Sequence, residues 1–232
     1  MISNLRTFCA TALLLCVGAV IGNPAQVWGD LTNGSFEAPY TGPLPTARFI
    51  PENFVAGWET TASDGLIEIW SNSFDGVTSD DGNQHAEINA DEIGTLYQDA
   101  TGISSGMKID FEFSHRAMIG TDTLSLTITD LGADNMLGGG NDSILFTNVF
   151  AANDSSWTLH NSAGIPNVVS VGNHVRFAFE AVSSGGGDLA RGNFIDAVSF
   201  NTSPASIPEP SSLAILLGLV GIQGIRRRQR VA

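Results

Sequence analysis

Cysteine is confined to positions 9 and 16. A mature chain that starts beyond them has no thiol, which excludes a disulfide, a zinc–thiolate site and a cysteine nucleophile. Basic residues are scarce as well. Between Asp30 and Ala205, five of them (Arg48, Lys108, Arg116, Arg176, Arg191) stand against 23 acidic residues, and the chain carries a formal charge of −14. Phosphate backbones demand clustered Lys and Arg, so nucleic acid is excluded as a partner. The same stretch lacks helical periodicity of useful length. The four histidines (His85, His115, His160, His174) are scattered, and none has H-E-x-x-H spacing. At 43% hydrophobic and 15% charged, the 232-residue chain is too apolar for disorder and too polar for a multi-span membrane protein.

What is present instead is strand-like alternation broken by Gly, Asn and Asp. Ile109, Phe111, Phe113 and His115 alternate with Lys108, Asp110, Glu112, Ser114 and Arg116. Leu124, Leu126 and Ile128 alternate with Ser125, Thr127 and Thr129, and Val175, Phe177 and Phe179 with Arg176, Ala178 and Glu180. Further strands are expected at Leu66–Trp70, Gln84–Asn89, Thr95–Gln98, Ser143–Phe150 and Asn193–Phe200. Many short strands separated by turn signals predict an all-β antiparallel sandwich of the jelly-roll kind, over residues 30–203. Gly102-Ile103-Ser104-Ser105-Gly106 fits G-x-S-x-G, but a strand follows it where a hydrolase needs a helix, so it reads as a turn.

The two ends have other chemistry. Arg6 precedes a 14-residue apolar run, Phe8 to Ile21, with small residues near Ala25 and Gly29. This predicts a signal peptide over 1–29. A retained anchor and a lipoprotein at Cys16 are alternatives, though Leu15 is large for the latter. At the other end, residues 204–232 hold Pro208-Glu209-Pro210, an apolar stretch from Leu213 to Ile225, and Arg226-Arg227-Arg228-Gln229-Arg230. Thirteen residues at about 1.5 Å each reach about 20 Å, short of a roughly 30 Å hydrocarbon core. The arginines would hold the tail on the cytoplasmic side.

This tripartite tail resembles the PEP-CTERM sorting signal of Gram-negative bacteria. The resemblance implies transient membrane insertion, cleavage by an exosortase near Pro208-Glu209-Pro210, and export to the cell surface or the exopolysaccharide matrix. Asn33-Gly34-Ser35-Phe36-Glu37 and Phe194-Ile195-Asp196-Ala197-Val198-Ser199-Phe200 resemble the first and last strands of galactose-binding-like jelly rolls, the fold of many carbohydrate-binding modules. Gly82 to Ala90, followed by Leu96-Tyr97-Gln98-Asp99, resembles the same group.

Alternation places Asp196 on the apolar face of Phe194, Val198 and Phe200, where a carboxylate needs a partner. The jelly-roll resemblance implies a structural calcium ion at Glu37 and Asp196; the alternative is an Asp at a strand edge, solvated or capped by backbone N–H groups. Asp130, Asp134 and Asp142 among glycines form a weaker calcium candidate, or simply a polar hairpin loop. Trp70 alternates with Glu68, and His85, Glu87 and Asn89 share one face. With Arg116 they could line a sugar-binding face, Trp70 stacking on pyranose rings. The alternative is a polar outer face with Trp70 half-buried under a loop. The function expected is a non-catalytic exported domain that associates with exopolysaccharide. A purely structural or adhesive protein and a polysaccharide hydrolase are the rivals.

Overall fold

A computed structural model describes residues 31–205. The expected signal peptide and the tail motif (Pro208, Glu209, Pro210, Arg226, Arg227, Arg228) lie outside the described residues. No helix among the described residues is long and apolar enough to cross a membrane.

Among the described residues, twelve strands form two antiparallel sheets. The seven-stranded sheet runs β1 (Ala47–Pro51), β3 (Leu66–Ser71), β4 (Gln84–Glu87), β12 (Phe194–Pro204), β6 (Met107–Arg116) and β10 (Val168–Val169), and β9 (Thr158–Asn161) also pairs with β6. The five-stranded sheet runs β2 (Glu59–Thr60), β5 (Thr95–Thr101), β11 (His174–Ser183), β7 (Thr121–Asp130) and β8 (Ser143–Asn153). This is the all-β antiparallel sandwich the alternation predicts.

Period-two patterning explains the layers. On β6, Ile109, Phe111, Phe113 and His115 are buried, and on β7 Leu124, Leu126 and Ile128 are buried. The sheets interlock through aromatic rings. Phe177 and Phe200 have centroids 3.5 Å apart, and Phe113 meets Phe179 edge-on at 5.1 Å.

The opening and closing segments cross. Val198 N–H donates to the Gly34 carbonyl at 2.9 Å. A Cβ on Gly34 would lie 1.9 Å from the Val198 carbonyl oxygen, so the crossing admits only glycine. Phe36 then stacks on Trp58 at 4.8 Å, and the Trp58 indole donates to the Asn33 carbonyl.

The alternation of β12 does not run through. Its register with β6 shifts between Asp196 and Ser199, and Ala197 has a φ of 50°. This β-bulge turns the chain over. Val198 and Phe200 point into the main core, whereas Phe194 packs with Trp70 and Val77 in a second cluster. Asp196 pairs with Ser114, on the outer side of β6. The expectation that Asp196 shares the face of Val198 and Phe200 is therefore corrected: the bulge separates them.

Candidate functional site

Three groups of polar residues stand out, on three parts of the sandwich. The first surrounds Asp196, which is wholly buried. Its Oδ2 accepts the Asp80 and Asp81 N–H groups at 2.8 and 2.9 Å, and its Oδ1 accepts Ala197 N–H at 2.7 Å. Desolvation, only partly offset by these bonds, pushes its pKa up to about 7. Glu37 reaches the same loop from the other side: its Oε1 accepts the Asn83 and Gln84 N–H groups at 2.6 and 2.8 Å. The two residues named from the sequence thus clamp one loop, 80–84. Ser35 and Ser114 add hydroxyl donors to Asp81 and Asp80. These oxygen donors are of the hard kind calcium takes. As placed, they hold amide hydrogens. No group of three His, Cys, Asp or Glu side chains among the described residues is arranged to hold a metal.

The weaker calcium candidate disperses. Asp130 is buried and accepts Gly132 N–H at 2.9 Å and Gly172 N–H. Asp134 accepts Met136 N–H at 3.3 Å, and Asp142 accepts Gly138 N–H at 2.6 Å. Asp134 and Asp142 accept N–H groups within their own loop, whereas Asp130 also ties that loop to the one at Gly172.

The second group is the expected sugar face. Glu68 lies opposite Glu87 and Trp70 opposite His85 across β3 and β4, and Phe194 joins Glu87 to Arg116 in register. The strands are thus neighbours, but the face they share is covered. Trp70 is 5% exposed, because residues 72–83 fold over it and Phe74 meets its ring edge-on at 4.8 Å. Trp157, unplaced by its sequence context, donates from its indole to the Thr78 carbonyl at 2.6 Å and holds that cover down. His85 is buried beneath it, and desolvation lowers its pKa to about 3. Trp70 is therefore no open stacking platform. Asn89 leaves the group. Past the end of β4, it donates to the Leu189 carbonyl and accepts Gly94 N–H. Arg116 donates to the Asp154 carbonyl at 2.9 Å.

Glu68 and Glu87 are hydrogen-bonded to each other, and both are nearly water-free. Burial, then the Glu68 charge, pushes the Glu87 pKa up to about 9, and burial also raises that of Glu68. Gly192 N–H donates to Glu87 Oε1 at 2.5 Å.

The third group was not nominated from the sequence. On the outer face of the five-stranded sheet, three rows run across the strands. Glu59, Tyr97, Ala178, Thr127 and Thr147 form one. Asp99, Arg176, Thr129 and Ile144 form the next, and Thr95, Glu180, Ser125 and Val149 the third. Small side chains in the middle of the rows leave a trough of about 510 Å³. On one side Arg176 donates twice to Asp99, both at 2.7 Å, and lies 3.7 Å from the Tyr97 ring centre. Tyr97 in turn donates to Glu59 at 2.9 Å. Desolvation, then Glu59, pushes the Tyr97 pKa up to about 12, so it stays a neutral phenol. On the other side stand Leu137 and Ile144, 55% and 69% exposed. The outward residues were visible in the alternation, but the strand order that lines them up was not.

No family model matches the chain, and no curated protein matches it. Among solved structures, the chain is similar to a family 61 carbohydrate-binding module in complex with beta-1,4-galactotriose. Identity is 14% and the TM-score 0.41, covering 62% of this chain and 88% of that one. It is also similar to the CBM22-1 xylan-binding domain of Paenibacillus barcinonensis Xyn10C, at 12% identity and a TM-score of 0.46. That match covers 69% of this chain and 95% of that one.

Proposed function

We propose that this is an exported, non-catalytic domain that binds neutral polysaccharide in the trough of the five-stranded sheet. The observation that carries this reading is the trough itself. Its size falls in the range of small-ligand sites. Its floor of Ala178, Ser125 and Thr127 offers hydroxyl groups and methyl surface without bulk. Arg176 is fixed at one side by Asp99, so its position is pre-organised. Pyranose chains present C–H faces and hydroxyl edges that match such a surface. A charge of −14 disfavours anionic polymers.

Hydrolysis is the weaker reading. The one buried carboxyl pair described above, Glu68 and Glu87, is in direct hydrogen-bond contact. A glycosidase pair stands roughly 5 Å apart or more, to admit the scissile bond.

The ends supply the rest of the proposal. An N-terminal signal and exosortase processing at Pro208-Glu209-Pro210 would deliver the domain to the cell surface or matrix, where exopolysaccharide is the natural partner. Calcium is proposed at the 80–84 loop, with Glu37 and Asp196 as donors. A cation there would relieve the repulsion between Asp81 and the buried Asp196. A glycan array tests the binding claim: the domain should retain neutral β-linked or α-linked chains and pass over uronate polymers. Retention of anionic chains alone would overturn it.

A further inference from the structure

The trough leaves the acid pair on the opposite sheet without a role. Glu68 and Glu87 lie in a cavity of about 290 Å³, at the lower limit for a small-molecule site. Phe49, Trp70 and Phe74 give it aromatic walls, and Arg191, Asp91 and Asp75 stand at its edge. The buried Trp70 indole N–H lies close enough to both carboxyls to favour their ionised forms, yet it makes no hydrogen bond of good geometry. The cavity therefore combines two acceptors, one underused donor and aromatic surface.

We propose that this cavity is a second binding site, for a compact organic cation that also carries hydroxyl groups, of the class of 2-amino-2-deoxy sugars. An ammonium group would sit on the two carboxyls. A neighbouring hydroxyl oxygen would accept the Trp70 N–H. The aromatic walls suit both the C–H face of a sugar ring and a cation. A bare divalent metal fits less well, because calcium wants six to eight oxygens and the indole N–H can only donate.

Burial raises the pKa of both groups, that of Glu87 to about 9, so Glu87 keeps a proton at neutral pH. An incoming ammonium replaces it, the proton leaves to solvent, and both groups become carboxylates. The other charges facing the pair set this balance: Asp91 raises the Glu68 pKa and Arg191 lowers it. His85, next to Glu87 along the face of β4, is neutral, and Arg116 lies beyond Phe194.

Calorimetry of the full chain with glucosamine, N-acetylglucosamine and glucose tests the proposal, run at pH 7 in two buffers of different ionisation enthalpy. Glucosamine should bind at least tenfold more tightly than either neutral sugar, with net proton release. Glu87→Gln should weaken it tenfold or more. Trp70→Phe keeps the wall, removes the N–H, and should cost several-fold; it also serves if the Glu87 variant fails to fold. Loss of polysaccharide binding in Ala178→Leu with glucosamine binding retained would separate this site from the trough. Equal binding of glucosamine and glucose, no heat from any of the three, or displacement of glucosamine by calcium would each overturn the proposal.

Discussion

Burial raises the pKa of both Glu87 and Glu68. The folded pKa of Glu87, about 9, lies above its unfolded value near 4.5. Its contribution to stability is therefore complete at low pH and drains away as pH rises toward 9. Glu87→Gln should flatten the fall in stability between about pH 5 and 9, read from urea midpoints; an unchanged slope would contradict this account of the pair. The histidines act in the opposite direction. His85 and His115 have folded values of about 3 and 4, below the usual 6.5, because burial favours their neutral forms. Their contribution is present above pH 6.5 and is lost as pH falls. Asp196 accepts three backbone N–H groups, those of Asp80, Asp81 and Ala197, in a part-buried cluster. A net intramolecular hydrogen bond contributes about 0.5–1.5 kcal/mol. Asp196→Ala should therefore destabilise the fold by about 2 kcal/mol, or roughly 4–8 °C in melting temperature. If calcium also binds there, added calcium should raise the wild-type melting temperature, and Asp196→Ala and Glu37→Ala should abolish the rise. A wild-type curve indifferent to calcium and chelator would remove the metal.

At the scale of elements, most of the sandwich was legible. β6, β7 and β11 announce themselves by strict alternation, because one face of each is buried and the other is not. The bulge in β12 did not. Its left-handed residue is Ala197, not the glycine or asparagine that would mark such a turn. One inserted residue moved Asp196 from the expected face to the other. A loop over Trp70 was one of the two readings of that face, but which residues supply it was not legible, since nothing local to residues 72–83 says where that loop lies. β2 and β10, at two residues each, are too short to carry a period of their own. Gly34 marks where the opening segment crosses the bulge, and this gives a sharp expectation. Overpacking usually costs about 1–3 kcal/mol. A methyl group 1.9 Å from rigid backbone belongs at or above the top of that range. Gly34→Ala should lower the melting temperature by about 6 °C or more; a neutral result would mean the two segments do not cross there.

At the scale of the molecule, the proposed function requires both ends of the chain to be processed. Intact mass of the exported protein should show loss of residues 1–29, or a nearby boundary, and of the chain beyond about Pro210. A secreted chain still ending at Ala232 would contradict exosortase processing. The central claim, however, is that the trough binds neutral polysaccharide, and the sequence hid it because it is assembled from four strands distant along the chain. Ala178 lies on its floor, between Tyr97 and Thr127, with its side chain away from the core. The most direct test is affinity electrophoresis of the wild type beside Ala178→Leu, through gels containing neutral polysaccharides. The wild type should be retarded by at least one of them, and the variant, with an unchanged melting temperature, should run as if the gel were empty. Equal retardation of the two proteins would place binding elsewhere, and no retardation of the wild type in any neutral polysaccharide would contradict the claim itself.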